Sequence, residues 1–252
     1  MTDTRYLLST YLVTHTQGKG DGHSTKQAFN MALSSSSSST VQALSRANLG
    51  ILRQKLSLMG VMKTRFGDAK AKTLYAKVCP LVNASIGQHI RHSMDHLELA
   101  AQMAADRRRL LGGSGIDKKE LHYDLRERGG EDENDIDEAM KRIETVVDLL
   151  NDISSQSTAT TTASTSTAED DANNLVQACF MLSADSTEFH LPSTVEREMG
   201  FAAHHAIHHL ALVKIIAEQT LGIPSESLSS DFGKAPSTIA NDNQQHPPSS
   251  TE

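Results

Sequence analysis

Ser193-Thr-Val-Glu-Arg-Glu-Met-Gly-Phe-Ala-Ala-His-His-Ala-Ile-His-His-Leu-Ala-Leu-Val-Lys-Ile-Ile-Ala-Glu-Gln-Thr-Leu221 runs without a proline and closes on Gly222-Ile-Pro224. On a wheel of roughly 100° per residue, Val195, Phe201, Ala202, Leu212, Val213 and Ile216 fall within an arc of about 120°. The spacing predicts an amphipathic helix over about 193–221 that ends at the glycine-then-proline signal. Inside it lie two overlapping H-x-x-x-H pairs, His204/His208 and His205/His209. Residues four apart stand one above the other on a helix, so either pair could hold one ion between two rings. His205 and His209 sit in the middle of the apolar arc, whereas His204 and His208 lie at its edge beside Arg197. The inward pair is therefore His205 and His209. Each neutral imidazole there has a donor and an acceptor to satisfy, which a metal ion or polar groups across the core would do.

Working outward, three more stretches carry the same period. Val41, Leu44, Asn48, Ile51, Leu52, Leu56 and Met59 predict a first helix over about 40–66, with Thr40 as N-cap and Gly67-Asp68 as its stop. Ile86, Ile90, Met94, Leu97, Ala101 and Ala104 predict a second over about 85–111, capped by Asn83 or Ser85 and ended by Gly112, Gly113 and Gly115. A long polar crossover follows. Ile136, Met140, Ile143, Val147 and Leu150 then predict a third helix over about 134–153. LVQACFML and EFHL read as one small surface β-hairpin. The fold class expected is all-α: a four-helix bundle with a long crossover between helices 2 and 3, the small β-hairpin and disordered tails. Residues 1–39 form the N-terminal tail, 40–240 the bundle, 154–174 a disordered Ser/Thr-rich insertion and 241–252 the C-terminal tail.

Composition narrows the function classes. The chain has 252 residues, 38% of them hydrophobic, and a net charge of −7, which disfavours a broad phosphate-binding surface. No apolar run approaches the ~18 residues of a membrane span. The two cysteines, Cys79 and Cys179, suit a reducing compartment and cannot build a disulfide framework. The localisation expected is cytoplasmic, with organelle targeting by the N-terminal tail left open. Seven of the twelve histidines fall in two short segments. Gly87-Gln-His-Ile-Arg-His-Ser-Met-Asp-His96 offers His89, His92 and His96 on one flank of the second helix. The wheel slightly favours His89 or His96 as the partner of the later pair and cannot decide among the three.

The blocks Ser85 to His96, Tyr123-Asp-Leu-Arg-Glu-Arg128, Ser193 to Phe201, His205 to Leu212 and Asp231-Phe-Gly-Lys-Ala-Pro-Ser-Thr238, in this order, resemble the DinB-like (YfiT-like) family. The likeness covers about 40–153 and 175–240 and implies a metal-binding four-helix bundle. The family's second helix carries a histidine followed by a small or apolar residue and an acid, which His92-Ser-Met-Asp95 matches. The resemblance thus implies His92, His205 and His209 as metal ligands.

Three imidazoles leave a coordination position open, the pattern of catalytic zinc sites. The all-nitrogen set suits zinc, nickel, iron or copper and does not choose among them; the cofactor expected is a divalent metal ion, zinc or nickel. Glu198, two turns before His205 on the same face, is a candidate proton acceptor, or else pairs with an arginine or with a ligand's second N–H. Asp95, His89 and His96 are candidates for the same supporting shell. Tyr123, Asp124 and Arg126 either line the mouth of the site or tie the crossover down. The resemblance implies a metal-dependent enzyme activating water or a small thiol, of hydrolase or thiol-transferase type. The rivals are a non-catalytic metal or small-ligand binding bundle and a bundle whose histidines are only packed. The partners expected are a small-molecule substrate or thiol and a second copy of the chain, with no nucleic acid and no membrane.

Overall fold

The apolar stripes read from the sequence become the buried faces of four long helices. In the computed structural model, which describes residues 37–110, 120–125, 129–155 and 175–245, these are α1 (Ser37–Phe66), α3 (Ile86–Leu110), α5 (Ile136–Ser155) and α6 (Val195–Ile215). α3 packs chiefly on α6 and α5, and α1 on α5 and α6, so each long helix has two principal neighbours. Leu52, Leu58 and Met59 of α1, Ile90, Met94 and Leu97 of α3 and Ile143, Val146 and Leu150 of α5 are all buried between them. From α6, Val195, Ala202, Val213 and then Ile216 complete this core. Along α5 it is Val146 that is buried, while Met140 and Val147 stand at the edge.

Local chemistry sets the helix ends. Ser85 and Gln88 form a capping box: the Ser85 hydroxyl accepts from the Gln88 N–H at 3.0 Å and the Gln88 side chain accepts from the Ser85 N–H at 2.9 Å. Thr194 caps α6, its hydroxyl accepting from the Arg197 N–H at 3.2 Å. Past Ile215 the chain widens into a π-turn, Ile216–Thr220, before Gly222 at φ 62° stops it.

Several boundaries differ from expectation. α1 starts at Ser37, so Thr40 lies inside the helix; N–H groups of a first turn need no intrahelical acceptor, and serines are tolerated there. The connector before α3 holds a further helix, α2 (Asp68–Tyr75), too short to show periodicity. The third helix is split into α4 (Glu131–Asn134) and α5 at Asp135, whose extended backbone lets its carboxylate accept from the Asp137 N–H at 3.0 Å. The C-terminal boundary at 240 is corrected too: Pro236 opens a helix, α7 (Pro236–Gln245), because proline's fixed φ and missing N–H suit a first helical position. The tail as far as 36, the insertion from 156 to 174 and the residues after 245 lie outside the described residues.

The hairpin is part of a larger sheet. β2 (Leu175–Met181) pairs antiparallel with β3 (Glu188–Thr194), and β1 (Glu120–His122) from the crossover adds in parallel on the other side of β2. Val176, Ala178 and Cys179 of β2 are buried, so this sheet is not a purely surface feature.

Gly87 lets α4 come close to α3. A Cβ there would lie 2.0 Å from the Glu133 carbonyl oxygen and 2.8 Å from Tyr75 Cε1. Gly87→Ala is expected to lower the unfolding free energy by roughly 1–3 kcal/mol, since backbone rather than a flexible side chain must yield. Urea unfolding tests it, and an unchanged midpoint contradicts this close approach.

Candidate metal centre

α3 and α6 cross so that their histidines meet. His205 Nε2 lies 3.1 Å from His92 Nε2 and 3.1 Å from His209 Nε2. Among the described residues His92, His205 and His209 form a group whose ligand atoms all lie within 4.8 Å of one another, each residue half-buried. A tetrahedral ion with N ligands at about 2.0–2.1 Å needs N···N separations of about 3.3–3.4 Å, and the two separations from His205 fit within a few tenths of an ångström. The donor chemistry fits as well. His205 Nε2 faces two other Nε2 atoms, and a proton on one nitrogen can satisfy only one such contact, whereas three lone pairs can share one cation.

His89 supplies an outer contact. Its Nδ1 lies 2.9 Å from His209 Nδ1. In the tautomer that leaves the His209 Nε2 lone pair available, His209 Nδ1–H donates to His89 Nδ1, which fixes the ring as outer partners of metal ligands do. His89 Nε2 is buried and has no hydrogen-bond partner. Burial, followed by the neighbouring His205, His92, His89 and Lys55, pushes the His209 pKa down to about 2. Burial lowers that of His89 too. Both rings therefore stay neutral, as ligation requires.

On the other side His96 stacks on Tyr123 with ring centres 4.7 Å apart and lies 4.2 Å from the His205 ring centre. Phe180 of β2 stacks on the far face of this group, 4.9 Å from Tyr123, and Phe201 stands edge-on to Tyr123 at 5.5 Å. Phe180 of the sheet, Tyr123 just after β1 and Phe201 of α6 thus flank the histidine cluster with aromatic rings. His204 and His208 are exposed, where the wheel put them.

Glu198 is buried two turns from His205, a rise of roughly 10 Å. Its carboxylate accepts from the Tyr123 hydroxyl at 2.7 Å, from Ser193 and from Arg197. These contacts match the arginine-pairing alternative, with Arg197 of its own helix as the partner. Burial and then the Glu198 charge push the Tyr123 pKa up, so the phenol keeps its proton and donates it. Asp124 accepts from the Met181 N–H at 2.9 Å, which ties the crossover to β2. Arg126 lies outside the described residues.

Asp95 takes Arg91 at 2.9 Å with one oxygen and Arg142 of α5 at 2.9 Å with the other. Arg91 also reaches Glu133 at 2.8 Å, and Arg142 reaches Glu98 and Asp132. The network fixes the outer face of α3. An open cleft of about 370 Å³, lined by Gln88, His89, Arg91, His92, Glu133 and His209, leads from solvent to the imidazoles.

The sequence reading missed Lys55. It is fully buried on α1, and its Nζ donates to Ser93 Oγ at 2.5 Å, beside His92. A signal was available, because Asn48, Leu52, Lys55, Met59 and Met62 share one helical stripe and all five are buried. Burial and the Arg142 charge lower the Lys55 pKa to about 7, against a smaller upward pull from Asp95.

No family model, no curated protein and no solved structure matches the chain. Among the described residues no helix is long and apolar enough to cross a membrane.

Proposed function

We propose that the chain is a DinB-like four-helix bundle that holds one divalent ion, zinc or nickel, on His92, His205 and His209, and that it is an enzyme acting on a small molecule. The observation that carries this reading is the convergence of three Nε2 atoms from two helices beside an open cleft lined by His92 and His209. The sequence resemblance supports the same three residues. A bound divalent ion supplies acidification of water or of a small thiol, giving a nucleophile near neutral pH.

The chain's own residues do the rest. His89 holds the His209 ring in the tautomer that faces the cluster. Tyr123, fixed by Glu198, backs His96 and through it the His205 ring. Phe180 and Phe201 pack on Tyr123 and form an apolar flank on this side. Arg91, with Asp95 and Glu133 on either side of it, sets the polarity of the cleft wall along which a substrate approaches His92 and His209.

The test is turnover of a panel of low-molecular-weight thiol acceptors and hydrolysable esters and amides, using untagged protein stripped of metal and then reloaded with zinc or nickel. Metal-dependent turnover that disappears in the His205→Ala, His209→Ala double variant is expected. Stoichiometric metal without turnover on any member of the panel contradicts the enzymatic reading and leaves a metal-binding module.

A further inference from the structure

The three-stranded sheet carries a second set of ligand-type side chains, distinct from the α3–α6 cluster. Register puts His122 of β1 opposite Cys179 of β2, and Cys179 opposite His190 of β3. Directly opposed residues point to the same face. With strands roughly 4.8 Å apart, the two histidine backbones are about 10 Å from each other, yet their ring centres are only 6.2 Å apart. Both imidazoles therefore lean inward over the cysteine.

Contacts run from one donor to the next. Cys179 Sγ lies 3.3 Å from His190 Nδ1. Glu120, two residues before His122 and so on the same face, bridges the rings: one oxygen is 3.7 Å from His190 Nδ1 and the other 3.4 Å from His122 Nε2. Glu188 holds His122 Nδ1 at 2.9 Å, which turns Nε2 toward Glu120. Ligand bonds of about 2.3 Å to sulfur and 2.0–2.2 Å to nitrogen and oxygen give tetrahedral edges of about 3.3–3.6 Å. The Cys179–His190 separation lies within a few tenths of an ångström of such an edge, as do the two Glu120 contacts, each made by a different carboxylate oxygen, and Glu188 stands where an outer carboxylate orients a ligating histidine.

We infer that Cys179, His190, Glu120 and His122 form a second divalent-metal site, of the borderline-soft class that zinc occupies, with Glu188 as the carboxylate behind His122. The donors are neighbours in a chain and not yet mutually clustered like the α3–α6 group, so binding draws them together. Glu120, His122 and His190 are 32%, 33% and 47% exposed, which leaves their side chains room to turn. Cys179, buried at the centre of the row, is the fixed point. The thiol and two carboxylates make an acidic set that a dication offsets, and mixed sulfur, nitrogen and oxygen ligation favours zinc over magnesium or calcium.

The experiment uses full-length untagged protein carrying His205→Ala and His209→Ala, so that its outcome is independent of the α3–α6 site. Metal-stripped protein is titrated with cobalt(II) and, separately, zinc(II). One equivalent of cobalt giving an intense near-ultraviolet thiolate-to-cobalt band, displaced by zinc, is expected. Cys179→Ser and, separately, His190→Ala are expected to remove the band and the bound equivalent while far-ultraviolet circular dichroism stays unchanged. His190 is half exposed, so this second variant preserves the test if the buried Cys179→Ser fails to fold. No thiolate band, or zinc uptake that persists in both variants, overturns the proposal and marks the uptake as adventitious.

Discussion

Lys55→Met is expected to unfold at higher urea than the natural chain at pH 7, with the difference shrinking as pH rises and gone above about pH 10.5. The sign follows from proton counts. The unfolded chain holds the Lys55 proton up to about the ordinary value of 10.5, whereas the folded chain releases it near 7. Between those limits the unfolded state binds more protons, so the stability of the natural chain climbs with pH. Each unit is worth about 1.4 kcal/mol, which makes the slope over this window on the order of 4 kcal/mol. Methionine has similar length and carries no charge to bury, so its stability lacks this slope. Ser93 Oγ keeps the His89 and Ile90 carbonyls at 2.8 and 3.0 Å after the change. Other groups titrating in the window act on both proteins, so the difference between the two curves isolates Lys55. Parallel curves from pH 7 to 10 contradict its burial as a largely neutral amine.

The second large effect is stabilisation by metal. An ion that binds only the folded chain adds RT ln(1 + [L]/Kd), about 4 kcal/mol at a thousandfold excess over Kd. In a Cys179→Ser background, zinc or nickel is expected to raise the melting temperature, His92→Ala to shrink that rise and the His205→Ala, His209→Ala pair to abolish it. His204→Ala with His208→Ala should leave it intact, because those rings are exposed. Scanning calorimetry with and without metal reads all of these. A rise that survives loss of His205 and His209 contradicts the assignment.

How much of this was legible depended on whether a residue's role follows from its own helix. The stripes of α1, α3, α5 and α6 are local facts, and so is the inward position of His205 and His209 relative to His204 and His208. The choice among His89, His92 and His96 is not local. It depends on where α6 crosses α3, and the structure gives all three a place: His92 Nε2 beside the later pair, His89 at the His209 Nδ1, and His96 against the His205 ring. The wheel leaned toward His89 or His96, and only the family resemblance pointed to His92. Lys55 escaped because a lone cation in an apolar stripe looks like a side chain able to extend to solvent, and its burial comes from the helices packed against α1. β1 has three residues, too few for alternation to show, and it exists because β2 offers it a partner. Pro236 opens α7, a start the sequence reading did not assign because the ten-residue segment it begins carries no clear apolar stripe.

The central claim is that three imidazoles share one ion, and X-ray absorption at the metal edge addresses it most directly. Untagged Cys179→Ser protein loaded with one equivalent of zinc or nickel is predicted to show a first shell containing three imidazole nitrogens at about 2.0–2.1 Å, with the outer scattering of the rings. Two imidazoles should remain after His92→Ala. A shell of oxygen atoms alone, or failure to retain a stoichiometric ion, contradicts the account.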